Sequence, residues 1–427
     1  MRLSVFTAAA AVTALAADKP FGDPFLFTSS HAYDCAAADR GRNPFPQSAA
    51  ILLVSGGERR RVAPGLFASA DPAVSFDGNR ILFAAREKAS SYWQIWEAAV
   101  AGGDPRQVTH CTGDCTNPLY LADGRIVYTR AAASGSELET ADVKGQSPQR
   151  LTFAPGWHIA QDVLRDGRIL FQSDGELYTV YPDGTGVESL RCDHGPVRSG
   201  ARQVASGDVI FSVGRKLARF TSALATQVEI AQPDWNATGP VAEVAAGEWL
   251  VAVGKANGPF GLYFWRQSDG VLVPLETPAG ANAVQPVLVR RRVPPKQFPS
   301  GLVPSRTTGN LLCLNARASY DPIREAVEEV QVYTRDATGN PVLLGHQSLA
   351  GDGSFYVEVP SDRPLRIELR NAAGETVSAE HGWFWMRPSE QRICVGCHMG
   401  PERSPENKVP EILLRSIVPE KMLGASQ

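Results

Sequence analysis

The chain has no long apolar run, little net charge and none of the short motifs that mark the common hydrolases. After the uncharged stretch Leu3 to Leu15, nothing approaches the length of a bilayer-crossing helix. A formal charge of -3 over 427 residues leaves no polycationic face, which argues against nucleic acid or an anionic membrane as partner. Neither G-x-S-x-G nor H-E-x-x-H occurs, so the nucleophile elbow and the zinc helix are both missing. Long amphipathic helical runs are scarce. Glycine (39) and proline (31) are plentiful, and that balance points to many short strands joined by turns.

Those strands repeat. Asp77-Gly78-Asn79-Arg80-Ile81-Leu82-Phe83, Asp123-Gly124-Arg125-Ile126-Val127-Tyr128 and Asp166-Gly167-Arg168-Ile169-Leu170-Phe171 share one pattern, and weaker copies follow at Ser206-Gly207 and Ala246-Gly247. The glycines at 78, 124, 167, 207 and 247 recur every 40 to 46 residues, the period of a four-stranded propeller blade. Asp-Gly supplies the positive-φ turn between the first and second strands of each blade. Five copies are complete. Phe25 to Thr28, Ala50 to Val54 and Arg59 to Ala63 lack an inner strand, and Val284 to Val289 has no blade of its own. Joined, they make a sixth blade and close the ring, leaving no exposed sheet edges. The expectation is a six-bladed β-propeller of the TolB or WD40 kind over residues 22–292.

In such a blade the entering loop and the loop between the second and third strands open on one face. The entering loops carry His110, Cys111 and Cys115, then His158, then Cys192 and His194; the other loop of the first blade carries His31 and Cys35. Propellers commonly hold ligands on one face. This cluster therefore offers a metal ligand set or a docking place for the C-terminal segment. The plainer readings are a Cys111–Cys115 disulfide, a Cys35–Cys192 disulfide and histidines that serve only their turns.

After the propeller come Arg290-Arg291-Arg292, read as a solvated basic surface, and a proline-rich linker, residues 293–308. Strands return at Asn310 to Asn315, Val327 to Thr334, Ser354 to Val359, Pro364 to Leu369 and Glu375 to Ala379. Clean alternation along Gly353 to Pro360 predicts a small β-sandwich over 309–386. The aromatic run Trp383-Phe384-Trp385-Met386 leads out of it, either as a wall for an apolar ligand or as ordinary core.

Residues 387–427 carry Cys394-Val395-Gly396-Cys397-His398, and C-x-x-C-H is the attachment sequence for c-type haem. Two thiols on one turn can each form a thioether to a vinyl group of the same porphyrin, and the adjacent histidine can supply an axial nitrogen. The competing readings are a surface disulfide, half a zinc site and a thioredoxin-like pair. The zinc site would want a second Cys/His pair nearby, and the redox pair a βαβ context. The other end of the chain agrees with haem. Met1-Arg2, the apolar Leu3 to Leu15 and Ala14-Leu15-Ala16 fit a signal peptide over 1–16, with the mature chain starting at Ala17. The expected compartment is the periplasm, and haem c is attached outside the cytoplasm. With two cysteines given to the haem, five remain, so at least one thiol is free or pairs with another chain.

The stretch Pro294 to Pro410 resembles the middle region of the hydrazine synthase alpha subunit family. The resemblance rests on Gly309 to Asn315, the Gly353 to Pro360 strand, Trp383 to Pro388, Glu390-Gln391-Arg392, C-V-G-C-H and Pro401 to Pro410. The propeller is similar to those of the same relatives, which extends the resemblance over nearly the whole mature chain. It implies thioethers at Cys394 and Cys397, with His398 at the haem. Two departures limit it. No second C-x-x-C-H follows, and Glu402 stands where the family has an iron-binding tyrosine. In that family the motif histidine binds zinc, whereas here His398 is the better iron ligand. Hydrazine synthesis is not expected.

The combined reading is an exported all-β protein with one covalent haem c, acting in electron transfer or as a redox subunit of a periplasmic complex. If it is an enzyme, it is an oxidoreductase. The propeller would be the docking platform. Sixth-ligand candidates are His381, His346, Met386 and the propeller-face histidines His31, His110, His158 and His194. An iron with no sixth ligand would be open to small molecules such as nitrogen oxides or peroxide. The alternative, from another class, is a propeller binding or scaffold module with a structural haem or none.

Overall fold

The structure is a computed structural model and describes residues 21–191, 193, 195–222, 225–232, 234–254, 258–319, 326–397 and 407–424. The signal peptide expected at 1–16 lies outside them, as do Cys192, His194, His398 and Glu402.

Local turn chemistry builds the blades. Asp77 accepts from the amide of Asn79, Asp123 from that of Arg125 and Asp166 from that of Arg168, each at 3.0 Å. The glycine between takes φ of 80°, 84° and 91° respectively, which L side chains resist. These Asx turns reverse each inner strand into the second strand of its sheet. Six antiparallel four-stranded sheets result. Blades 2 to 6 begin with the inner strands Ala68–Val74, Cys115–Tyr120, His158–Val163, Ser199–Gln203 and Asn236–Ala245. Blade 1 is composite. Its inner strand Asn282–Leu288 pairs with Phe25–Ser30, which is followed by Ala49–Ser55 and Glu58–Arg61. The inner strands lie against one another in order, and Asn282–Leu288 lies against Ala68–Val74, so the ring is closed. Between the blades the side chains of Phe27, Phe83, Phe171, Phe211 and Phe264 are fully buried. Each contributes roughly 1.5–3 kcal/mol of hydrophobic stabilisation.

Every inner strand carries a bulge. Asp71, Asn117, Gly200, Gly239 and Gln285 sit at five of these in left-handed backbone, with φ between 50° and 68°. Together with Gln161 at the sixth, they line the upper axial cavity of the propeller.

The linker does not leave the propeller. It crosses the end that carries the Asp-Gly turns: Arg292 N–H donates to Phe76 O (2.8 Å), Lys296 N–H to Arg165 O (3.1 Å) and Ser300 Oγ to Asp183 Oδ2 (2.8 Å). A Cβ at Gly167 would lie 2.2 Å from Lys296 O, so this approach requires glycine. The sandwich follows as two packed sheets. One runs Gln391–Cys394, Thr308–Cys313, Phe355–Pro360, Glu420–Lys421; the other Pro341–Ser348, Glu329–Arg335, Arg366–Arg370, Thr376–Ala379. Residues 387–427, expected as a segment apart, thus supply both edge strands of one sheet. Gln391–Cys394 pairs parallel with Thr308–Cys313 and Glu420–Lys421 parallel with Phe355–Pro360. Leu311, Val330, Val332, Phe355, Val357 and Met386 fill the space between the sheets.

Candidate functional site

The motif cysteines sit where the sandwich meets blade 4. The run ahead of them alternates between the two units. Trp385 turns into the propeller, where it packs with Leu121, Ala154 and Phe171, meets His158 edge-on at 6.3 Å and donates its indole N–H to Gly184 O at 2.9 Å. Met386 turns the opposite way into the sandwich core. Phe384 pairs in antiparallel fashion with Leu365 and lies under the Arg392 guanidinium. The aromatic run is therefore mainly packing, and only Phe384 and Trp383 remain half-buried.

Glu390 is the clamp. Its carboxylate accepts from Gly186 N–H of blade 4 (3.0 Å), from Arg387 N–H (2.7 Å) and from the Arg392 guanidinium (2.7 Å). The strand Gln391–Cys394 then places Cys394 in register beside Cys313, and the following turn carries Cys397. All three are free thiols; Cys313 is buried, whereas Cys394 and Cys397 are half-buried against the sandwich core.

Burial pushes the Cys394 thiol up to about 11; Arg392 pulls it down, while Glu380, Glu188 and Glu390 push it further up. Burial also raises Cys397, with Glu380 and Cys394 adding to it, and raises Cys313. These thiols are protonated at neutral pH. A thioredoxin-like C-x-x-C has its thiols shifted the other way, so that reading loses ground.

The structure sorts the remaining candidates. His346 pairs with Glu329 at 2.9 Å on the edge strand opposite Thr376–Ala379, and the neighbouring Gly345 lies against Met422. That is the far side of the sandwich from the motif, which removes His346. Met386 is sealed in the core and would have to leave it to reach a ligand, which removes it as well. His381 is exposed and follows Glu380, whose charge reaches both motif thiols. Among the described histidines it is the one beside the motif.

Among the described residues, the propeller-face cluster does not converge. Cys111 and Cys115 form a disulfide, which takes both out of any ligand set. His158 is core rather than face: its Nε2 lies 2.9 Å from Ala154 O, its ring packs edge-on to Phe171, and burial holds it below its ordinary value. His110 is exposed and sits 3.1 Å from the Gln107 amide, and His31 is exposed. Cys35 opens the short helix Cys35–Asp39 and is half-buried, with burial raising its thiol. No group of three His, Cys, Asp or Glu among the described residues could hold a metal. This face also lies opposite the sandwich, so the expected docking of the C-terminal segment there is corrected: the linker's path across the Asp-Gly end carries the motif to the other side.

Sequence reasoning missed the axial belt. Asp71 accepts from Gln285 Nε2 (2.6 Å) and Asn117 N–H (3.2 Å), and Gln285 Oε1 accepts from Asp71 N–H (3.1 Å). Burial raises the Asp71 carboxyl, these donors and Arg202 opposing it. The signal was present as Asp71-Pro72, Asn117-Pro118, Gly239-Pro240 and Gln285-Pro286, an X-Pro in four of the six inner strands.

Comparisons with known proteins fit this arrangement. The hydrazine synthase alpha subunit middle domain family matches residues 314–399. The hydrazine synthase subunit alpha of Kuenenia stuttgartiensis is 35% identical over 83 residues, which are 19% of this chain and 10% of that one. The match therefore spans about a tenth of that subunit. A solved Kuenenia stuttgartiensis hydrazine synthase chain superposes with a TM-score of 0.80 at 17% identity, covering 92% of this chain and 71% of that chain. It shows a shared fold across both units. TolB from Acinetobacter baumannii follows at a TM-score of 0.49 and 15% identity, over 63% of this chain and 67% of its own. Residues 314–399 are thus similar to the hydrazine synthase alpha subunit middle domain, and the fold around them is shared with a hydrazine synthase chain.

Proposed function

We propose that this is an exported, periplasmic protein carrying one covalent haem c on Cys394 and Cys397, with His398 as an iron ligand, and acting in electron transfer or as the redox subunit of a larger complex. The observation that carries this reading is the placing of the two motif cysteines: unpaired, half-buried and three positions apart at the edge of the sandwich, against its core. Thioether attachment uses both thiols and leaves a neutral, apolar linkage suited to this half-buried edge.

The chain's own residues fit the group. Cys394 and Cys397 would hold the porphyrin, Phe384 gives the edge an aromatic neighbour, and His381 lies on the adjacent loop as the candidate second ligand. When bound, the haem supplies one-electron redox chemistry, or small-molecule chemistry if a position on iron stays open. Glu390 and Trp385 fix the attachment strand to blade 4, which makes the propeller a rigid support for it. A protein partner completes the reading. Val409, Leu414, Ile417 and Val418 are all exposed, which gives such a partner apolar surface to cover.

The test is expression with haem c maturation, followed by a pyridine haemochrome assay on denatured protein. A covalent c-type band at one haem per chain, absent from Cys394→Ala with Cys397→Ala, is the expected result. Matured protein without covalent haem would overturn the proposal. Periplasmic fractionation of the same cells checks export separately.

A further inference from the structure

Two of the three arginines that close the propeller sequence do not form a simple solvated surface. Arg290 and Arg292 line a cavity of about 190 Å³ at the Asp-Gly end of the propeller axis, together with Arg202 from the inner strand of blade 5; Arg291 does not. Arg202 also lines the upper axial cavity, so one guanidinium borders both chambers. It is half-buried and makes no hydrogen bond or ion pair among the described residues. Arg292 uses one nitrogen on Val74 O (2.7 Å) and lies over Phe76, which leaves further donors unused. Arg290 is anchored by Asp23, Val244 O and Glu243 O.

The acidic residues of the same cavity are already engaged. Asp162 accepts from Val163 N–H and Gln203 N–H, both at 2.9 Å, and Glu243 Oε2 accepts from Ala205 N–H. Above Arg202, both oxygens of Asp71 are taken by Gln285 and Asn117. Three guanidinium groups thus face two lining carboxylates, and the free donors all belong to arginine. A half-enclosed pocket with unspent guanidinium forks is suited to an oxyanion, which can accept from two arginines at once. The volume is enough for a group of phosphate or carboxylate size with some water.

We propose that the mouth of the axial channel binds a small oxyanion between the guanidinium groups of Arg202 and Arg292. The site lies on the propeller and does not depend on haem, so it stands or falls separately from the reading above. Its sources are inorganic phosphate and small carboxylates, which share this chemistry.

The test is calorimetric titration of the whole protein with sodium phosphate and, in a second arm, sodium acetate, at constant ionic strength maintained with sodium chloride. The expected result is saturable binding with Kd below about 1 mM in at least one arm. It should weaken about tenfold or more in Arg202→Gln and in Arg292→Gln, and Arg291→Gln should bind as the unaltered protein does. Arg202→Lys keeps the charge but loses the fork, and is expected to fall between. If Arg202→Gln fails to fold by circular dichroism, Arg292→Gln at the exposed mouth decides the matter. No saturable signal in either arm, or equal binding in Arg291→Gln and Arg292→Gln, would overturn the proposal and leave Arg202 as a counter-charge to Asp71.

Discussion

Trp385 belongs to the sandwich by sequence and to the propeller by packing, so removing it tests how the two units are joined. Its side chain is fully buried among blade 3 and blade 4 residues, flanked by His158 and Phe153, and its indole N–H is bonded to Gly184 O. Truncating a buried tryptophan costs about 3–5 kcal/mol through lost burial and an unfilled cavity. The hydrogen bond accounts for about 1 kcal/mol of that. Trp385→Phe keeps most of the packing and loses the bond, so its cost is expected at about 1–2 kcal/mol. The loss should fall on the junction, because the sandwich has its own core and Trp385 is no part of it. The assays are denaturant unfolding and limited proteolysis of the proline-rich linker at residues 293–304. Trp385→Ala should expose the linker to cleavage at denaturant concentrations where the unaltered protein is still intact, and the sandwich should unfold as a separate step. A cost below about 1 kcal/mol with unchanged cleavage would refute the junction argument.

Further outcomes follow from single residues. Burial holds His158 below its ordinary value of 6.5, so the unfolded chain binds a proton there that the folded chain refuses. Stability should therefore fall as pH drops below about 6.5, and His158→Gln should flatten that slope in thermal unfolding followed across pH 5 to 7. Replacing Cys111 and Cys115 by serine opens a loop with a sequence separation of 4. Chain entropy puts the loss near 2 kcal/mol, measurable as a lower denaturant midpoint under oxidising conditions. In haem-free protein, Cys394 should alkylate slowly at pH 8 and about tenfold faster per pH unit until the rate levels near 11. Fast alkylation at neutral pH, followed by mass spectrometry of the peptide, would contradict its protonated, half-buried setting.

The propeller was legible because its signal is local. An aspartate capping the amide two residues on and a glycine free to take positive φ define the same turn wherever they occur, and five copies at one period leave little choice of fold. Blade closure was legible by elimination, since Phe25–Ser30 lacked an inner partner and Asn282–Leu288 lacked a blade. Non-local pairing was not. Gln391–Cys394 is a strand only because Thr308–Cys313, some eighty positions earlier, offers it an edge, and a four-residue run with the pattern Gln-Arg-Ile-Cys carries no periodicity of its own. Pro341–Ser348 was hidden for a different reason. It is a largely exposed edge strand with proline at its start and glycine inside, both of which read as turn. His31, His110 and Cys111 do lie in connections between propeller strands, but sharing a loop does not make a site. Cys111 closes on its own neighbour, and His158 turns inward to Trp385, a residue whose position no reading of blade 4 alone would supply.

The same non-local logic says why the motif sits where it does. Cys394 ends an edge strand and Cys397 lies on the turn after it, and an isolated edge is free to fray. Here three residues just ahead of them remove that freedom. Trp385 is locked under blade 4, Glu390 joins the Gly186 amide to the Arg387 amide, and Arg392 returns to both Glu390 and the Trp385 carbonyl. All three lie within residues 314–399, the part of the chain that matches the hydrazine synthase alpha middle domain. Their partners on the propeller are main-chain groups, the Gly184 carbonyl and the Gly186 amide of one turn, which any blade sequence with that turn can provide. The hydrogen bonds of this grip thus ask for side-chain identity on one side of the junction only, while the packing of Trp385 draws on Phe153, His158 and Phe171 across it.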